Sequence, residues 1–211
     1  MTDGLRLPAE WEHHEATLLA WPTNKADWPG KFRPIPWVFA EMIRQLSVAE
    51  RVDLLVPNGC IEEKARRTLA KAHANLDNVR FLEHQLDRGW MRDCSPAFVR
   101  RGEGREAVHF AFNAWAKYDD YALDVTAAPY LATQGDMPCV KALHEDRHVV
   151  LEGGGIDSNG AGTLLTTEEC LLHPDLQVRN PGFSRSDYEA VFQRYLGIEK
   201  VIWLGEGIAG D

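Results

Sequence analysis

An α/β fold with mixed sheets is predicted by three features of the 211-residue sequence. Short apolar runs alternate with amphipathic helical ones. A hairpin signal sits at Asn159-Gly160, between two apolar segments. No Pro- or Gly-rich linker divides the chain, so one domain over 1–211 is expected. No fixed repeat period is visible.

The elements follow in order. "ATLLAWP" reads as a buried strand stopped by Pro22, and "PWVFAEMIRQLS" as a helix with Phe39, Ile43 and Leu46 on one face. Pro36 stands in a helix-start position. "RVDLLVP" is the next strand, and "NGCIEEKARRTLAKA" a helix whose apolar face is Ile61, Ala65, Leu69 and Ala72. "NVRFLEHQ", "PAFVRR" and "AVHFAFN" read as strands, and "YALDVTAAPYLA" as a helix kinked or ended at Pro129. "HVVLEGGGID" and "GTLLTT" flank the turn "SNGA". In "SRSDYEAVFQRYLG" a helix is expected to start on a capping box of Ser186 and Glu189 and to stop at Gly197. "KVIWLG" is the last strand.

A net charge of -9 argues against a nucleic-acid scaffold, since phosphate binding needs a basic surface. It suits a cationic ligand, and equally a surface kept soluble by charge. No apolar run approaches membrane-spanning length, and the N-terminus carries no signal-peptide pattern. Four well-separated cysteines without C-x-x-C read as reduced thiols. A cytoplasmic protein is expected, with no nucleic-acid or membrane partner; self-association into a homo-oligomer stays open.

Three motifs invite a chemical reading. "HEDRH" (144–148) matches the zinc-binding H-E-x-x-H, but it lies between strands, where the helical spacing of its two imidazoles is lost, so no metal is expected. "LEGGGID" lacks the frame of a phosphate loop; its glycines mark a bulge or a close backbone approach beside Glu152, or else a solvated hairpin. In "GWMRDCSP", Arg92-Asp93 reads as a surface ion pair or as a buried carboxylate awaiting a partner among Trp90 and Met91. A guanidinium fits such a carboxylate through two parallel hydrogen bonds. Along a strand, Cys94 would point away from whatever Asp93 holds.

These residues resemble the agmatine deiminase family, which includes the bacterial-type peptidyl-arginine deiminases. The matching pieces are "LPAEWEHHEATLLAWP", "WMRDCSP", "FNAWAKYDD", "LEGGGIDSNGAGTLLTTEECLL" with "RNPG", and "VIWLGEGIAGD", in order from near residue 7 to the C-terminus. The resemblance implies a β/α propeller of the pentein type, of which this chain would supply about three of five blades. It implies hydrolysis of a guanidino group without metal or organic cofactor: agmatine and water give N-carbamoylputrescine and ammonia, a step of putrescine synthesis. A Cys thiolate attacks the guanidinium carbon while a His moves protons. Asp93 matches the family's guanidinium-binding aspartate, and Glu152 the glutamate that orients the His and helps hold the substrate. Trp90, Asn113 and Gly153 fall in motifs at the substrate.

Two departures accompany the match. Ser95 stands where the family commonly has Gly. Family members also continue past "GIAGD" to a Gly-His-x-Asp segment and, later, the nucleophilic Cys, so both are expected to lie beyond Asp211 and the 211 residues alone to be inactive. Peptidyl or free arginine is the rival substrate. The rival of another class is a non-catalytic remnant that binds guanidinium compounds or serves as an assembly subunit.

Overall fold

A computed structural model describes residues 4–208, which form a mixed α/β arrangement. The chain divides into two compact units. The second unit, His13–Met91 with Ala122–Asp124, is a βαβαβ pattern. Its sheet is wholly parallel: β2 (Ala16–Ala20), β3 (Arg51–Val56) and β4 (Val79–Glu83) lie in the order β2-β3-β4. Helices α1 (Ile35–Leu46) and α2 (Gly59–Lys71) make the crossovers, with Pro36 in the first turn of α1 and the Asn58 side chain capping α2. Val52, Leu54 and Val56 alternate along β3 toward Ala40 and Ile43 of α1 and Ala65 and Leu69 of α2, which together form this unit's core. Between them Asp53 is buried, and Arg51 and Arg80 satisfy it at 2.9 and 2.5 Å. The unit also holds Asp124, fully buried, whose carboxylate accepts the backbone N–H groups of Asp87, Arg88 and Gly89.

The first unit comprises Met1–Glu12, Arg92–Tyr121 and Val125–Asp211. One sheet runs β1-β5-β6-β7, from β1 (Leu5–Arg6), β5 (Ala97–Arg101), β6 (Gly104–His109) and β7 (Cys139–Lys141). It is antiparallel except for the β6/β7 pair. A second, β10-β11-β12, joins β10 (Ile156–Ser158) and β11 (Thr163–Thr167) through the expected Asn159-Gly160 turn and adds β12 (Lys200–Leu204) in parallel. Helix α6 (Arg185–Leu196) supplies Tyr188, Val191, Phe192 and Leu196 to the core with Val99, Val149 and Leu164. Gly197 ends it at φ 69; a Cβ there would stand 2.0 Å from the Leu5 carbonyl oxygen, so only glycine fits.

Several expectations are corrected. The cap of α6 is Ser184 with Asp187, two residues before the Ser186–Glu189 pair. Pro129 neither kinks nor ends a helix: α4 (Ala127–Gln134) starts late enough to hold it in the first turn, where a missing N–H costs nothing. Residues Met91–Cys94 form a helical turn, α3, rather than strand, so consecutive side chains diverge by about 100° and do not alternate. "HEDRH" is a hairpin, as expected. Strands β8 (Leu143–His144) and β9 (Arg147–His148) meet through Glu145 and Asp146, both at positive φ.

Candidate functional site

The site belongs to the first unit. Beyond β6 the chain stays extended through Ala111, which bridges Val150 in parallel. Asn180 holds Val150 on its other side: the Asn180 carboxamide accepts Val150 N–H at 2.9 Å and donates to Val150 O at 2.7 Å. Its Nδ2 also donates to the Tyr188 hydroxyl. Val149 and Leu151 point into the core, which leaves Glu152 directed, two residues on from Val150, into a polar interior. Glu152 is 2 % exposed.

Its partner is Arg179, 9 % exposed, whose Nε lies 3.3 and 3.2 Å from the two carboxylate oxygens. The far end of that guanidinium donates from Nη1 to the Gln177 carbonyl oxygen at 2.8 Å. Burial pushes the Glu152 carboxyl above the usual range, Arg179 opposes this, and the charge of Asp93 adds to it. The two acids singled out in the sequence therefore feel each other across the site.

Asp93 is half-buried on α3 and accepts the Gly154 N–H at 2.9 Å. A second hydrogen bond comes from the Trp115 side chain. Burial raises its pKa, against these two donors and the charges of Arg92 and Arg179. The glycines explain the fit. A Cβ on Gly153 would lie 2.2 Å from the Arg92 carbonyl oxygen, and one on Gly154 would lie 2.6 Å from Asp93 Oδ1. Gly153 is thus spent on the approach of α3, and Gly154 supplies the donor. Arg92 and Gly153 also border a cavity of about 250 Å³ walled by Phe98, Phe110, Leu151 and Ile156, which neither acid lines.

Trp115 reaches Asp93 from an unusual turn. Ala114, Trp115 and Ala116 have φ of 49, 61 and 52°, a left-handed stretch that L-residues resist. Asn113 fixes it: its Oδ1 accepts the Ala116 N–H at 3.0 Å. Asn113 therefore stands at the site as the cap of the Trp115 turn. Trp90 lies in the second unit, 41 % exposed and stacked on Trp28 at 5.6 Å between ring centres. Cys94 is 5 % exposed, Cys170 is half-buried, and Cys60 and Cys139 are exposed.

Arg179, Asn180, Trp115 and Gly154 escaped the sequence reading as individuals. Their letters stand in "RNPG", "FNAWAKYDD" and "LEGGG", but nothing local pairs Arg179 with an acid 27 residues earlier. Of the two "HEDRH" imidazoles, His144 faces Asp187 and His148 Nε2 lies 2.8 Å from the His109 carbonyl oxygen. Among the described residues, no three His, Cys, Asp or Glu side chains cluster as metal ligands, and no helix is long and apolar enough to cross a membrane.

A mixed α/β fold thus carries two acids, Asp93 and Glu152, that feel each other's charge beside a glycine-rich segment. Residues 6–211 match the family of Porphyromonas-type peptidyl-arginine deiminases, and the chain belongs to it. It is 36% identical over 216 residues to the agmatine deiminase of Ectopseudomonas mendocina, and 34% identical over 218 residues to that of Pseudomonas aeruginosa (strain LESB58). Each alignment covers 99% of this chain and 55% of the relative, so the chain spans about half the length of the curated relatives it matches. The structure of the agmatine deiminase of Enterococcus faecalis superposes with a TM-score of 0.84 at 30% identity, over 97% of this chain and 54% of that one.

Proposed function

We propose that this chain forms the guanidinium-binding part of an agmatine deiminase-type hydrolase, in a pentein propeller of which it supplies about three blades within one domain. The observation that carries the reading is the juxtaposition of half-buried Asp93 and buried Glu152, tied through the glycine segment that follows Glu152, whose Gly154 N–H donates to Asp93 at 2.9 Å; burial raises the proton affinity of both acids. An arriving cation relieves that cost, and a planar guanidinium can donate two parallel hydrogen bonds to a carboxylate. Relatives named agmatine deiminase support agmatine as the substrate over arginine.

Asp93 receives the guanidinium, with Trp115 and the Gly154 N–H fixing its carboxylate. Glu152 orients an imidazole. The thiolate and that imidazole come from segments outside residues 1–211, as the family resemblance implies. The thiolate adds to the guanidinium carbon, and the C–N bond to the terminal nitrogen breaks. Ammonia leaves with a proton from the imidazole. Water then adds to the same carbon, giving one proton back to the imidazole, and the C–S bond breaks to restore the thiolate while the second water proton passes to solvent, where the released ammonia takes it up. The product is N-carbamoylputrescine, and the setting is cytoplasmic putrescine synthesis.

The test is calorimetric titration of the 211-residue chain with agmatine, arginine and N-acetyl-arginine amide. Agmatine should bind best. Asp93→Asn should weaken it by about 1.5–3 kcal/mol, more than tenfold. No ammonia should appear, because none of the four thiols is expected to be the nucleophile. Agmatine binding that ignores Asp93→Asn refutes the site; turnover by this chain refutes the division of labour.

A further inference from the structure

We propose that Arg179 is a positioning residue: a resident guanidinium that holds Glu152 as an aimed carboxylate and leaves Asp93 as the acid open to the substrate's cation. This rests on the guanidinium reading of the site. A chain that binds guanidinium compounds has placed one of its own beside the acids, and the geometry shows why it need not compete. Arg179 meets Glu152 through Nε alone, shared between both oxygens at 3.3 and 3.2 Å. That is a loose, single-donor contact and not the two parallel bonds of a bidentate pair. It supplies charge while leaving most of the carboxylate's lone pairs for another donor.

The contact is also tethered. Nη1 of Arg179 is held by the Gln177 carbonyl oxygen at 2.8 Å and lies 3.3 Å from its side-chain oxygen, so the guanidinium cannot swing toward Asp93. The next residue, Asn180, grips Val150, two residues before Glu152. Both side chains of the ion pair are nearly excluded from water, at 7% and 2% exposure. Asp93, by contrast, takes its hydrogen bonds from the neutral Gly154 N–H and Trp115. Glu152 is in direct contact with a cation; Asp93 accepts from neutral donors and feels Arg92 and Arg179 through their charge alone.

Carboxyl-carbon NMR of the 211-residue chain separates the two roles. In Arg179→Met the Glu152 midpoint should rise by more than about one pH unit, the usual effect of losing an adjacent opposite charge. Arg179→Lys should show a smaller rise. In the unmutated chain, saturating agmatine should shift the Asp93 carboxyl signal and leave the Arg179 Nε–H resonance in place. That resonance should also move with the Glu152 midpoint during acidification, which decides the matter even where the Met variant does not fold. An unchanged Glu152 midpoint in the variants, or an Arg179 Nε–H signal lost on agmatine addition, overturns the proposal. Should agmatine move neither carboxyl in the folded chain, the guanidinium reading fails, while the Glu152 titration still judges the hold of Arg179.

Discussion

Replacing Ala116 by glycine should stabilise the protein, although glycine normally weakens a fold. Ala116 sits at φ 52 in the left-handed turn that carries Trp115, and its side chain is exposed. An L-residue in that region costs roughly 1–2 kcal/mol, and glycine none of it. Against this, glycine's extra freedom in the unfolded chain costs about 0.4–1 kcal/mol. No packing is lost at an exposed methyl, so the balance is a gain of about 1 kcal/mol, or a melting temperature higher by about 2–4 °C. Ala114 is an internal control, with φ 49 but fully buried. There the same substitution also forfeits a buried methyl worth about 0.8 kcal/mol, which cancels most of the gain. Urea unfolding followed by tryptophan fluorescence reads both variants. Ala116→Gly less stable than the unmutated protein, or Ala114→Gly more stable than Ala116→Gly, would refute the strain argument.

Gly153→Ala should cost about 1–3 kcal/mol in the same urea assay, because its Cβ meets the backbone oxygen of Arg92 and backbone cannot step aside. Gly154→Ala meets only the Asp93 side chain, so it should cost less stability and more agmatine affinity; equal melting of the two variants counts against this. Mass-spectrometric mapping after brief iodoacetamide treatment should find Cys60 and Cys139 labelled and buried Cys94 spared. Burial, with His148 and Lys141 nearby, lowers the His109 pKa to about 4. The unfolded chain therefore binds that proton first, and stability should drop as pH falls from about 6.5 toward 4. His109→Gln should flatten this limb, and an unchanged pH profile would discount it.

What the sequence made legible was whatever local pattern controls. The strand "RVDLLVP" and the stop at Gly197 needed only periodicity and one backbone angle. The cap of α6 was misplaced because "SRSDYE" offers the same box in two registers. Tyr188, which must be buried, selects the earlier one. Four residues are too few to show a helical period, so α3 passed for strand. Asp53 gave no warning inside an apolar strand, since its second cation, Arg80, is its register partner on β4. At the site, the acids were visible as charges in apolar company. Arg179 was not, because its role is settled by a fold that closes 27 residues of chain.

The consecutive residues Arg179 and Asn180 grip Glu152 and Val150, which are two apart on one extended segment. The loop thus works as a two-pin key cut to a two-residue spacing. Sliding either strand by one residue would unseat both pins at once, leaving a buried carboxylate without its cation and a peptide group without its hydrogen bonds. A single-residue insertion or deletion on either side of these contacts therefore has no partial outcome: it releases the glutamate and the peptide group together.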